Sequence, residues 1–189
     1  PNKFPFGLPN VTLVKVGKKC YDPRISKEVY TNNAALVILD YLRTYLKCPD
    51  ETINWESFKE AANICDEAVK NADGTSERRY TINGEFDMDE APASIMAEML
   101  KACGADLSYV AGKYGLLVGA YYGPATMTLS EDCVCGEVKI YPEASFDKRS
   151  NTITGRFTSP TKGYSETDFP SVFVPEWVEK DGERKIIDI

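Results

Sequence analysis

Residues 54–71, NWESFKEAANICDEAVKN, fix the first element that any fold of this chain must contain. Trp55, Phe58, Ala62, Cys65 and Val69 recur at spacings of three, four, three and four, which is one stripe of an α-helix. Asn54 is placed to cap it. Cys65 falls inside the stripe, which reads it as a small buried hydrophobe rather than a reactive thiol. A helix of this kind is stable only when its apolar face is packed. Two further helical patterns could supply the packing. YTNNAALVILDYLRTYL (30–46) has Asn32 or Asn33 as its cap, a wide apolar surface and a stop at Cys48-Pro49. PASIMAEMLKACGA (92–105) puts Ile95, Met96, Met99, Leu100 and Cys103 on one face, with Pro92 in its first turn and Gly104 just past its end.

The rest reads as strands. VTLVKVGKKCYDP suggests a strand, a Gly-Lys turn and a second short strand closed by Pro23. DLSYVAGKYGLLVGAYYG predicts a hairpin turning near Gly112-Lys113, with Gly112 and Gly115 as turn residues. ATMTLSED and EVKIYP suggest further short strands, and FDKRSNTITGRFTSP another strand pair, or one strand entered through a turn at Ser150-Asn151. TKGYSETDFPS reads as a loop, and SVFVPEWVEKDGERKIIDI as strand-like at both ends of a glycine turn. The expected class is α+β: mostly antiparallel sheet with about three packed helices. The polar stretch NADGTSE suggests a boundary. Residues 1–72 would hold the hairpin and two helices, 73–78 a loop, and 79–189 a strand, a helix, a hairpin and further strands.

Composition narrows the chemistry. The chain has 189 residues, 43% of them hydrophobic, enough for a core, and a net charge of −7 with no basic stripe. Phosphate-neutralising nucleic-acid recognition is not expected. Histidine is absent, which excludes Ser-His-Asp and Cys-His catalysis and HExxH zinc sites. No apolar run reaches the ~20 residues that cross a bilayer, so no membrane segment is expected. No secretory leader is recognisable at the start, so Cys20, Cys48, Cys65, Cys103, Cys133 and Cys135 are expected as thiols rather than disulfides.

GEFDMDEAP (84–92) is the most provocative stretch. In RRYTINGEFDMD, Tyr80, Ile82, Gly84, Phe86 and Met88 alternate with Thr81, Asn83, Glu85, Asp87 and Asp89, the pattern of a half-buried strand. Glu85, Asp87, Asp89 and Glu90 could hold a cation or form a hydrolytic carboxylate pair. The EF-hand pattern fails for want of its glycine, and nothing marks a cleft. The carboxylates therefore read as the wet face of a strand, with Asp89 or Glu90 against the positive end of the next helix. In DCVCGE, Cys133 and Cys135 could bind a soft metal, but no second pair lies nearby. On a strand they would share a face, which suits burial. GKYGLLVG matches neither nucleotide-loop pattern. Tyrosines in GAYYGP and GYSETDFP suit either an assembly surface or a sheet core. No catalytic, cofactor-binding or metal-binding residue is assigned.

The ordered set PNVTLVKVGKKCYDPR, YTNNAALVILDYL, WESFKEAANICDEAV, RRYTINGEFDMDEAPASIMAEML, LSYVAGKYGLLVGAYYGP, TLSEDCVCGEV and SNTITGRFTSPTKGYSETDFPSV resembles the tail-tip attachment proteins of long-tailed bacteriophages and prophages. This is the lambda-type host specificity protein J family. The resemblance runs over nearly the whole chain. It implies an internal piece of a longer protein, and the lack of an initiator Met and the abrupt RKIIDI end suggest the same. The implied region is the hub, similar to the baseplate hubs of contractile tails. The implied role is that of a virion structural protein, not an enzyme: a trimer that closes the tail tube, seeds tail assembly and contacts other tail-tip and tube proteins. It would be made in the bacterial host cytoplasm and end at the virion tail tip. The host receptor would be engaged through regions outside this stretch. Two other functions are compatible with the carboxylates at 85–90: a cell-wall hydrolase, or a calcium-dependent binding module.

Overall fold

The computed structural model describes residues 13–71, 74–125, 127–142, 145 and 149–189. The fold is α+β: among the described residues there are four α-helices and several short, mostly antiparallel sheets. The chain forms two compact units, one of residues 15–124 and one that includes 125–189.

The 15–124 unit holds the helical core. Strands β1 (Lys19–Asp22) and β2 (Lys27–Tyr30) form an antiparallel hairpin. The expected Gly17-Lys18 turn is not there: residues 13–18 belong to no strand, and Val11 and Thr12 lie outside the described residues. The reversal comes after Pro23 instead, where the Asp22 carboxylate accepts from the Arg24 backbone N–H at 2.9 Å and Ser26 adopts a positive φ of 53°. Helix α1 (Ala34–Asp40) starts at Asn33, whose side chain accepts from the Leu36 N–H, and it continues as a π-helical turn over Tyr41–Tyr45. The same Asn33 side chain, fully buried, donates to the Ala62 carbonyl at 2.9 Å and so ties α1 to the next helix.

Helix α2 (Trp55–Cys65) has the expected cap, with Asn54 accepting from the Ser57 N–H. Phe58, Ala62 and Cys65 are buried as the stripe predicts. Val69 is not part of it. The helix stops at Asp66, and Val69 lies in β3 (Ala68–Lys70), paired with β4 (Ser76–Arg78). Ala72 and Asp73, between these strands, lie outside the described residues.

Helix α3 (Pro92–Lys101) buries Ile95, Met96 and Met99, with Cys103 buried just beyond and Gly104 at φ 54°. Strands β5 (Asp106–Val110) and β6 (Lys113–Leu117) follow, joined through Ala111 and Gly112 at φ 51° and 78°, the two left-handed residues of a type I′ turn. Gly115 is not a turn residue. It sits inside β6, where an added Cβ would lie 3.0 Å from Ser108 Oγ and 3.2 Å from Ser57 Oγ. That closeness lets Ser57 Oγ donate to the Leu116 carbonyl and accept from its N–H, which docks the start of α2 onto β6. Residues on both sides of the 73–78 stretch, including Phe58, Cys65, Ile95, Cys103 and Leu116, share one buried cluster.

In the second unit, β7 (Thr152–Thr154) lies between antiparallel β10 (Val172–Phe173) and parallel β11 (Ile186–Asp188). Strands β8 (Arg156–Ser159) and β9 (Ser165–Asp168) form a hairpin, so part of the expected loop TKGYSETDFPS is strand. Gly163 and Tyr164, at φ 65° and 61°, turn it. Between β10 and β11 stands helix α4 (Pro175–Asp181) rather than a simple turn, with Pro175 in its first turn and Gly182 at φ 75° past its end. Asn151 is buried and gathers these pieces. Its amide donates to Asp181 Oδ2 at 2.9 Å and to the Glu183 carbonyl at 3.0 Å, and its oxygen accepts from the Lys185 N–H. The chain bends at Asn151 on its way into β7, where the Ser150-Asn151 pair predicts a turn. Residues 127–142 contain one turn of 3-10 helix (Glu131–Cys133) and none of the strands that ATMTLSED and EVKIYP predict. Phe146, Asp147 and Lys148 lie outside the described residues, as does Thr126.

Candidate functional site

The acidic stretch is extended but is not a strand. Thr81 makes one isolated bridge to Asn33, and the Ile82 N–H donates to the Asn32 carbonyl at 2.8 Å. Past that point no sheet partner is present among the described residues. The alternation still sorts the side chains. Tyr80, Ile82 and Phe86 pack against the core, and Phe86 meets Tyr41 and Tyr45 edge-on at 5.4 and 5.2 Å between ring centroids. Met88, expected on the inner side, is exposed because residues 87–90 turn, with the Glu90 N–H donating to the Asp87 carbonyl. Glu85, Asp87, Asp89 and Glu90 are all exposed. Neither Asp89 nor Glu90 caps α3, whose N-cap is Ala91 with no side-chain hydrogen bond. Among the described residues, no three Cys, Asp or Glu side chains gather as a metal site would require.

Two polar clusters are built more firmly. At the β1–β2 turn, Arg24 forks onto Asp22 (Nε–Oδ1 3.0 Å, Nη2–Oδ2 2.8 Å) and also reaches Asp66 Oδ2 at 2.9 Å and Asn63 Oδ1 at 3.1 Å. Burial of Asp22 opposes its ionisation, but the Arg24 hydrogen bonds and charge outweigh it and hold the carboxyl below its ordinary range. Asp66 Oδ1 is buried without a hydrogen bond, although Arg78 Nε stands 3.4 Å away at ion-pair range. This cluster joins the hairpin turn to the end of α2. Nearby, the Arg43 guanidinium lies over Tyr21 and Trp55, 4.9 and 5.2 Å from their ring centroids, while its Nε bonds Asp50 Oδ1. Trp55 Nε1 donates to the Asp50 carbonyl. The open hollow there measures about 220 Å³. Its aromatic faces are covered by Arg43, so the cluster fastens the π-helical turn to the first turn of α2.

The cysteines divide by environment. All six are unbridged. Cys20, Cys65 and Cys103 are buried, and burial pushes the Cys20 and Cys103 thiols up to about 11. Cys133 and Cys135 are exposed, against the expectation of burial on a strand, because residues 127–142 form no strand to bury them.

The second unit presents a feature that sequence reasoning missed. Register pairs Val172 with Ile153 and Ile153 with Ile187, which places all three on one face of the sheet. They are 61%, 40% and 47% exposed. Trp177 of α4 is 56% exposed as well. On the opposite side of the sheet, the Arg184 guanidinium lies 4.2 Å from the ring centroid of Phe173, which is still 39% exposed, and Thr152 is buried. The β-branched runs in SVFV, NTIT and KIIDI carry this signal, but the row becomes visible only once the register is known. Tyr121, Tyr122 and Tyr164 are all exposed, and Tyr122 uses its hydroxyl to bond both the N–H and the carbonyl of Val118.

Among the described residues, no helix is long and apolar enough to cross a membrane. Comparison with protein-family models and with curated proteins gives no match.

Proposed function

We propose that the chain is a structural part of a phage or prophage tail tip, working within a larger trimeric hub protein that closes the tail tube and contacts neighbouring tip proteins. The observation that carries this reading is the uncovered row Val172–Ile153–Ile187. Contiguous apolar surface of this kind is typical of an interface. The ordered likeness to tail-tip attachment proteins supports the same reading, and the outward carboxylates then serve as a solvated or subunit-facing surface. Host attachment and DNA delivery belong to the larger protein.

Ile153→Glu tests the interface in the intact phage protein. The side chain is 40% exposed in the isolated chain and pairs with Val172 and Ile187, so its fold should lose only about 1 kcal/mol. In an assembly the carboxylate would be buried at a cost of several kcal/mol. Since each 1.4 kcal/mol is tenfold in affinity, subunit association should fall by about a hundredfold or more. The expected result is loss of complete tails and of plaque formation, while the purified chain still folds, with a melting temperature lowered by only about a few degrees. Normal tails and titre in the variant would remove the reading.

A further inference from the structure

The Cys133–Val134–Cys135 segment has properties that the other thiols lack. Both cysteines are exposed and one residue apart, while Cys20, Cys65 and Cys103 are enclosed in the core. Cys133 ends a single 3-10 turn, and its Sγ lies 3.7 Å from Ser130 Oγ. Val134 is extended, at φ −90° and ψ 113°. An extended residue between two others spaces their Cα atoms by about 6.6 Å. That is near the upper end of the span a disulfide bridges. No strand ladder holds residues 134–142, and Gly136 comes next at φ 122°, so the backbone can close the small remaining distance.

We propose that Cys133 and Cys135 form a thiol–disulfide exchange site that takes low-molecular-weight disulfides such as oxidised glutathione. The Cys133 thiolate, which the Ser130 hydroxyl can stabilise by donating a hydrogen bond, attacks one sulfur of the small disulfide. The S–S bond of the reagent breaks, a mixed disulfide forms on Cys133, and the first small thiolate leaves and takes up the proton that Cys133 gave. Cys135, as thiolate, then attacks the Cys133 sulfur. The second small thiolate departs with the proton from Cys135. In sum, the protein loses two electrons and two protons, and one small disulfide becomes two small thiols. The site depends on the local segment alone and is independent of the tail-tip proposal.

The test uses the folded, fully reduced chain with excess oxidised glutathione at mildly alkaline pH, read by intact mass and peptide mapping. The expected product is lighter by two hydrogens, with the bond mapped to Cys133–Cys135. The pair should react faster than the buried cysteines by on the order of a hundredfold, since a thiol raised by burial holds far less thiolate. Cys135→Ser should stop at a glutathione adduct on Cys133, and Cys133→Ser should give no internal disulfide. Stable glutathione adducts on both cysteines, a bond mapped to a different pair, or no reaction in the folded chain would each overturn the proposal. An unchanged circular-dichroism spectrum for both serine variants confirms that the readout concerns the thiols and not unfolding.

Discussion

Phe58→Ala should destabilise the 15–124 unit by about 4 kcal/mol, within the range for truncating a fully buried aromatic side chain. Phe58 is 0% exposed and lies on the face of α2 that meets α1 and β6. The residues beside it along that face and on the adjoining part of α1 include Ala34, Ala35, Ala61 and Ala62, all buried. Alanines have no side-chain length with which to refill a hole, and the Asn33–Ala62 and Ser57–Leu116 hydrogen bonds hold the helices at their present spacing. The cavity term therefore adds to the lost transfer free energy instead of relaxing away. Urea denaturation of the purified chain should show a lower midpoint with an unchanged slope. A loss under about 1.5 kcal/mol would mean that the core can collapse around the site, contrary to this packing.

Arg24→Ala should cost about 3 kcal/mol, the lower end of the range for removing one partner from a buried ion pair. Asp22 is 4% exposed, and Arg24 supplies the guanidinium that compensates both it and Asp66. Without Arg24, Asp22 loses its cation and the turn-closing fork. Asp66 keeps Arg78 at 3.4 Å. Lysine cannot replace the fork geometry, so Arg24→Lys should recover less than half of the loss. The pH dependence gives an independent check. The folded-state value of Asp22 lies below its ordinary 3.8, so between the two values the unfolded chain binds more protons. The stabilisation is complete above that ordinary value and is lost as pH falls through the depressed one. Arg24→Ala should flatten this acid limb. An identical acid limb in variant and parent would show that Asp22 is not the group responsible.

The helical half of the fold was readable because its signals are local. The stripe Phe58–Ala62–Cys65, the Asn33 and Asn54 caps, and the Pro92 and Gly104 boundaries each act within one or two turns of chain, and each is found where the spacing puts it. The β5–β6 hairpin was legible for the same reason, since Gly112 marks its turn. Elsewhere pairing decides, and local signals mislead. Gly17-Lys18 looks like a turn, but Asp22 and Arg24 close a better one a few residues later. The 80–89 alternation turns Tyr80, Ile82 and Phe86 toward the core without a strand partner to make it sheet, and it fails at Met88 where the chain turns. Val69 continues the helical stripe in number but not in space, because Asp66 ends the helix first. Helix α4 is not legible because its seven residues are too few to show a period, and its Pro175 and Gly182 boundaries read equally well as loop punctuation. The exposed sheet row depends on long-range register, which no single stretch of sequence encodes.

The most direct test of the proposed role is location. Electron microscopy of purified tails should be carried out with a small tag inserted into the polar 71–77 stretch of the intact tail protein. A tail-tip hub predicts label at the distal tip of every tail, in a ring around the tube axis. Label along the tube or at the head-proximal end, or purified tails that carry none, would contradict it.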